Sequence, residues 1–236
     1  MMKIKYATIS KQGRRSNNED ALSVWESTDE DRWMGIVCDG LGGHAMGEVA
    51  SETVTNAIVD YWKQHHNQAD TDEKVVKACK KASCTLDRRA EQFHHCEMGT
   101  TMVMASIANN VATIAHVGDS RCYVIRQASV GNGEKYEKLY QTKDHVRTAF
   151  GWEMVSRCFF SYQGERAVPE IHQIRVQPGD RLLLCTDGVY KCVPPDILTN
   201  RLMDDRLPEQ IVDVIDSLCE KNGNDNYTAI LILIVS

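Results

Sequence analysis

The sequence predicts a mixed α+β chain in which strands dominate and helices come in two groups. Three observations carry that expectation. Short apolar or alternating runs recur from Ile4 to Val235, punctuated by turns rich in Gly, Asn and Asp. Apolar residues recur at helical spacing mainly in two regions, near 45–97 and 195–221. No Gly/Ser-rich or Pro-rich linker and no internal repeat interrupts the 236 residues, so a single domain spanning 1–236 is expected.

Ile4–Ile9 reads as the first strand. The polar loop after it, Lys11 to Asp20, turns on Gly13 and the Asn17-Asn18 pair and closes on two adjacent carboxylates, Glu19 and Asp20. Ala21–Trp25 and Trp33–Cys38 read as a hairpin around an acidic turn, Asp29-Glu30-Asp31. The apolar run Met34 to Cys38 stops at Asp39-Gly40, followed by Leu41-Gly42-Gly43-His44, and a helical pattern begins near Ala45. Val49, Ala50, Val54, Ile58, Tyr61 and Trp62 carry the first helix. Val75, Cys79, Ala82, Leu86 and Phe93 form one face of the second, opposite Lys74, Lys77, Lys81 and Arg88. His65-His66 and His94-His95 are adjacent pairs whose members diverge on a helix, with no cysteine at ligand spacing. They are expected to be surface histidines.

Met102–Ala108 and Val111–Val117 read as a hairpin closed by the two-residue turn Asn109-Asn110. The second run ends in Gly118-Asp119-Ser120-Arg121. Cys122–Arg126 and Tyr136–Gln141 flank a Gly/Asn loop, Ala128 to Glu134. Periodicity fades from Val146 to Pro169, where an irregular excursion is expected. Ile171–Val176 alternates, and Pro178-Gly179-Asp180 is a turn. Arg181–Cys185 ends in Thr186-Asp187-Gly188, repeating the design of a buried strand, an Asp and a Gly. Beyond Pro194-Pro195 come two helical segments, the clearer one marked by Ile211, Val214, Ile215 and Leu218. Gly223 to Thr228 then opens a last strand, Ala229–Val235.

Composition bounds the function. A formal net charge of −6 argues against a nucleic-acid-binding surface. No run is long and apolar enough for a membrane span or an export signal, so no membrane association and a cytoplasmic location are expected. The nine cysteines are scattered without a CxxC, which fits reduced thiols, several of them small core residues. None has an arginine six residues on, so the Cys-x5-Arg loop of a thiol-dependent phosphatase is absent.

Asp39, Asp119 and Asp187 each end an expected strand, and Asp20 and Asp225 each precede one. Carboxylates gathered on one rim of a sheet repel one another unless a cation neutralises them, and hard oxygen ligands of this kind suit Mg²⁺ or Mn²⁺. Gly40 adds an unencumbered backbone carbonyl beside Asp39.

Taken together, Arg15-Ser16-Asn17-Asn18-Glu19-Asp20, Asp39-Gly40-Leu41-Gly42-Gly43-His44, Gly99-Thr100-Thr101, Gly118-Asp119-Ser120-Arg121, Asp144-His145, Thr186-Asp187-Gly188 and Asp225-Asn226-Tyr227-Thr228 resemble, in order, the motifs of the protein phosphatase 2C family. The resemblance is closest to its bacterial single-domain branch and extends over essentially the whole chain. It implies a four-layer α-β-β-α sandwich, with two antiparallel sheets packed face to face and helix pairs on the outer faces. It also implies two Mn²⁺ or Mg²⁺ ions at one end of that sandwich. By the same resemblance Asp39 bridges the ions and Gly40 offers its carbonyl. Asp187 and Asp225 complete one shell, and Glu19 and Asp20 hold the other ion directly or through water. Asp119 with Asp187 matches the ligands of a third, weaker ion, and Arg15 matches the phosphate-binding arginine. The catalytic residues so implied are Arg15 and Asp39.

Three departures from the family pattern stand out. Leu41 occupies the place where the eukaryotic branch has a histidine proton donor, and His44 lies three residues later. The segment from Asp144 to Asp180 is shorter than usual and lacks part of the flap beside the site (about 146–170). Its small residues are replaced by Trp152, Phe159, Phe160 and Tyr162, a packing cluster or a docking surface. The implied activity is hydrolysis of phosphoserine and phosphothreonine in proteins. The expected partners are those phosphoproteins, including a cognate Ser/Thr kinase or its substrates, with no nucleic acid and the chain itself a monomer. The alternative is an inactive family member serving as a phosphoprotein-binding module, against which the retention of every acid and of Arg15 argues.

Overall fold

The computed structural model describes residues 3–27, 32–41, 46–127, 136–149 and 151–236. The acidic turn Asp29-Glu30-Asp31, the segment Gly42-Gly43-His44 and the loop Ala128–Glu134 lie outside the described residues, so the expectation for His44 is not addressed by them.

Alternation along the strands explains the layering. In β1 (Lys3–Lys11), β2 (Asp20–Glu26) and β3 (Arg32–Asp39) the chain lays down its first three strands. Helices α1 (Gly47–Gln64) and α2 (Asp72–Gln92) follow. Then come the short β4 (Gly99–Thr100), the hairpin β5 (Met102–Ala108) and β6 (Val111–Val117), and β7 (Arg121–Gln127) with β8 (Tyr136–Gln141). Met34, Ile36, Cys38, Met102 and Met104 pack against Val54, Ile58, Val75 and Leu86 of the helices. The intervening Trp33, Val37, Val103, Ala105 and Ile107 point the other way. Strand side chains alternate with period 2, so one strand supplies two different interfaces.

The second sheet repeats this logic. It contains β13 (Arg181–Cys185) and β14 (Tyr227–Val235), which flank α3 (Asp187–Tyr190), α4 (Pro195–Leu202) and α5 (Pro208–Asn222) in sequence. Leu183, Cys185, Ala229 and Leu231 pack on Leu198, Ile211 and Ile215 of the helices. Leu182, Leu184, Ile230, Ile232 and Ile234 face inward to meet the first sheet. The layers therefore run helices, sheet, sheet, helices, as the resemblance implies. The sheets have the orders β1-β14-β13-β7-β8 and β12-β6-β5-β3-β2, where β12 is Glu170–Arg175, and every pairing within them is antiparallel.

Local chemistry supports the elements. Asn109 and Asn110 both adopt positive φ, 51° and 60°, as a two-residue hairpin turn of the primed type requires. Thr71 caps α2 by accepting a hydrogen bond from the Lys74 N–H, with Asp72 and Glu73 in the first turn against the helix dipole. Where β7 and β13 meet solvent at the far end, Asp180 is fully buried and accepts two bonds from the Arg126 guanidinium at 2.8 and 2.7 Å.

One expectation needs correction. The stretch from Val146 to Pro169 is not irregular throughout: β9 (Val146–Ala149) and β10 (Trp152–Val155) form a small hairpin turning at Gly151 (φ 82°). β11 (Phe159–Phe160) then pairs with β4. The pattern was illegible because Trp152, Glu153 and Met154 are all exposed, so no polar–apolar alternation marks the strand. The four aromatics also separate. Phe159 and Phe160 are buried, while Trp152 and Tyr162 are exposed. Histidines 66, 94 and 95 are exposed, as expected, and His65 is half-buried with its ring bonded to the Tyr61 carbonyl. No helix among the described residues is long and apolar enough to cross a membrane.

Candidate metal centre

Strand register brings the predicted acids to one rim. Asp20 opens β2 and Asp39 closes β3, and the two are direct cross-strand partners. Asp119 follows β6 after Gly118, whose φ of 110° turns the chain across the rim. Asp187 follows the end of β13, and Asp225 precedes β14 by two residues. Each sheet thus contributes acids to the same end of the sandwich. Between them lies an open cleft of about 230 Å³, lined by Arg15, Glu19, Asp39, Gly40, Asp119, Asp187 and Asp225 among the described residues. Asp20 sits just behind it, its carboxylate accepting a bond from the Thr186 hydroxyl at 2.9 Å.

The electrostatics register that convergence. Burial, then the charges of Asp20, Asp187, Asp119 and Asp225, hold Asp39 well above the ordinary carboxylate range. Burial raises Asp20 to about 7, with Asp187 and Asp225 adding to it and hydrogen bonds from Thr228 and Thr186 opposing. Asp119 rises to about 6 through burial and the charge of Asp187, opposed by Lys191. Glu19 is raised too, chiefly by burial and by Glu48. Burial raises each of these acids first and repulsion from neighbouring carboxylates adds to it, and an all-oxygen donor set of this kind fits a hard divalent cation that would offset both.

Backbone bonds fix the donors. The Asp39 carbonyl accepts from the Thr101 N–H at 2.8 Å and from the Thr100 hydroxyl at 2.8 Å. Gly40 donates its N–H to the Glu19 carbonyl at 3.0 Å, tying the two strand ends together. A side chain at Gly40 would run into the Gly47 backbone, which explains the glycine there. Arg15 extends from the loop after β1, half exposed, with one N–H donated to Asp225 at 2.8 Å. It retains further donors for an anion in the cleft.

Some residues within the motifs build the site without standing among the expected ligands. Asn226, buried beside Asp225, accepts from the Glu19 N–H at 2.9 Å and donates to the carbonyls of Gln12 and Asn17, each at 2.7 Å. It holds the Arg15 loop against the rim. Thr186 and Thr101 clamp neighbouring strand ends in the same manner. Asp144-His145 acts from behind. Asp144 takes a two-point bond from Arg121, at 2.9 and 2.7 Å, and the Gly118 N–H donates to His145 Nδ1, fixing the turn that presents Asp119. His116, His145 and Glu170 also approach one another, with potential ligand atoms within 4.8 Å. With Nδ1 accepting from Gly118, the proton of a neutral His145 lies on Nε2, which faces the Glu170 carboxylate at 3.4 Å, so this group serves as a hydrogen-bonded support.

Comparison with known proteins gives a consistent answer. Residues 10–231 match the family model described as protein phosphatase 2C. The serine/threonine phosphatase stp of Listeria monocytogenes is 30% identical over 230 residues, covering 92% of this chain and 90% of that protein. The serine/threonine protein phosphatase PstP of Mycobacterium tuberculosis is 29% identical over 235 residues, covering 97% of this chain and 44% of that longer protein. Among solved structures, the catalytic domain of PstP in complex with two manganese ions superposes with a TM-score of 0.79 at 26% identity, each chain covered completely.

Proposed function

The chain belongs to the protein phosphatase 2C family, and from that premise we propose that it is a single catalytic domain that hydrolyses phosphoserine and phosphothreonine in proteins at a binuclear Mn²⁺ or Mg²⁺ centre. One observation carries the proposal: Asp20, Asp39, Asp119, Asp187 and Asp225 converge from both sheets on one rim, around a cleft that Arg15 also lines. Asp39, central to the repulsion, would hold the ions together with the Gly40 carbonyl beside it. Asp187 and Asp225 serve one ion, and Glu19 and Asp20 the other. Such ions, when bound, would supply Lewis-acid activation of water near neutral pH and would offset charge on the phosphoryl oxygens.

The remaining roles fall to the chain's own groups. Arg15 grips phosphate oxygens with its fork of N–H donors, moving from its bond with Asp225 or sharing it. Thr101, Thr186 and Asn226 keep the donors in place so that no reorganisation is needed as charge develops. The described residues lining the cleft include no cysteine and no histidine, so attack by water, without a covalent enzyme intermediate, fits the site. The likeness to PstP, whose catalytic domain was solved with manganese, favours Mn²⁺ as the first metal to test. Substrates are phosphoproteins, including products of a partner Ser/Thr kinase.

The test is hydrolysis of p-nitrophenyl phosphate and of phosphoserine and phosphothreonine peptides by the metal-stripped protein after addition of Mn²⁺ or Mg²⁺. Asp39→Asn and Arg15→Ala serve as controls. Metal-dependent turnover that falls at least about 100-fold in Asp39→Asn is expected, the scale at which loss of a metal-supporting group acts. Turnover without added metal, or an undiminished Asp39→Asn, rejects the proposal. Release of phosphate from small esters but from no phosphopeptide redirects it to a non-protein substrate.

A further inference from the structure

The Asp119–Asp187 pair already faces a cation that belongs to the chain. Asp187 opens the four-residue helix α3, and Lys191 follows that helix directly. The Lys191 N–H donates to the Asp187 carbonyl at 2.9 Å, which fixes the turn. The i,i+4 spacing then carries the ammonium back along the same side, so that Nζ lies 2.5 Å from Asp187 Oδ2. Its charge also acts on Asp119 and on Asp39. The neighbouring residue locks the other half of the pair, because the Tyr190 hydroxyl donates to the Asp119 carbonyl at 3.0 Å under the Arg121 guanidinium, 3.5 Å above its ring.

Charge balance decides what this lysine does. The centre holds six carboxylates, Glu19, Asp20, Asp39, Asp119, Asp187 and Asp225, against two side-chain cations, Arg15 and Lys191. Arg121 is already matched by Asp144, and Glu48, in the first turn of α1, is offset by the positive end of that helix. Two divalent ions therefore bring the ionised centre to neutrality before a phosphate arrives. A third would leave it strongly positive and would have to enter beside an ammonium already seated on one of its ligands.

Building on the metal-centre reading above, we propose that Lys191 is a tethered third cation. Its ammonium occupies the Asp119–Asp187 pair and limits the centre to two metal ions. The lysine is held beside the pair by the chain, so it competes for this position at a fixed local concentration, and a third Mn²⁺ must displace it before it can bind.

Metal stoichiometry tests this without recourse to turnover. Metal-stripped protein is titrated with Mn²⁺ in equilibrium dialysis, comparing the wild type with Lys191→Ala, Lys191→Met and Lys191→Arg. The Lys191 side chain is largely exposed, so these variants retain the fold, which circular dichroism verifies. The wild type and Lys191→Arg are expected to bind two equivalents. The two neutral variants should gain a third, weaker equivalent, which Asp119→Asn added to Lys191→Met abolishes. Three equivalents in the wild type, or two in both neutral variants, overturns the role of Lys191 while leaving the binuclear centre standing. A wild type that binds no Mn²⁺ overturns the metal-centre reading itself.

Discussion

Asp20 shows what a single carboxylate costs when five meet on one rim. Its pKa of about 7, and that of Asp119 at about 6, mean that the metal-free native state binds more protons than the unfolded chain between those values and the ordinary carboxylate range near 4. Metal-free stability therefore falls as pH rises through that window, because the raised groups lose their protons in the native state last and at a cost. On the proposed reading, a divalent ion held by these acids displaces those same protons. The rise in melting temperature on adding saturating Mn²⁺ should accordingly be larger at about pH 8 than at about pH 5.5. A thermal-shift series giving a flat or inverted trend counts against this account. Asn226 offers a second check. Its three bonds hold the loop of Arg15, so Asn226→Ala should lower stability by about 1–3 kcal/mol in denaturant titrations, the cost of orphaned buried partners. It should also raise KM for p-nitrophenyl phosphate through a loosened Arg15. The aspartates were legible in the sequence because each follows or precedes an apolar strand at a Gly- or Asn-marked turn. Asn226 and Thr186 stood within recognised motifs without a role of their own, because their roles rest on partners as far as 214 residues away, and Lys191 was not singled out because it follows a four-residue helix without an apolar stripe.

At the level of elements, the β9–β10 hairpin and β11 are neighbours in sequence with opposite fates. Trp152 is 76% exposed at the start of β10, whereas Phe159 is fully buried against the helices of the first layer. Trp152→Ala should change stability by no more than about 0.5 kcal/mol, as surface substitutions do. Phe159→Ala should cost about 3–5 kcal/mol through the cavity it leaves. Equal effects in chemical denaturation would contradict the burial described. The sequence made the long strands and the amphipathic helices plain, since their alternation or helical spacing persists over several turns. It concealed β4, β11 and α3 because elements of two to four residues are too short to express a period, and they form only where tertiary contacts supply partners.

For the molecule as a whole, the central layer is where the two sheets depend on each other. Ile230 is fully buried between them, opposite residues contributed by β3 and β5. Ile230→Ala should destabilise by about 2–5 kcal/mol, with a single unfolding transition in which helical and tryptophan signals are lost together. The far rim supplies a polar counterpart. Removing the Asp180 carboxylate by Asp180→Ala takes the two-point partner from Arg126, which stays partly exposed and keeps its bond to the Arg175 carbonyl, and a loss of about 1–3 kcal/mol is expected. Layer order could be inferred from the sequence only through the resemblance, because apolar runs such as Met102 to Ala108 are buried on both faces. Such runs do not reveal which face meets helices and which meets the opposite sheet.

The position of β14 has a consequence for how the protein comes into being. Residues 227–235 lie between β1 and β13, pairing Lys3 with Val235 and Lys11 with Tyr227. Until that segment leaves the ribosome, the first strand has no neighbour and the second sheet has a gap beside β13. Synthesis at roughly 5–20 residues per second leaves the nascent chain in that open state for many seconds. Asp225 arrives in the same late segment, so the acidic rim and this gap in the sheet are completed together. On the proposed ligand set, chains stalled before Asp225 lack one acid of the rim and should bind Mn²⁺ more weakly than the finished chain.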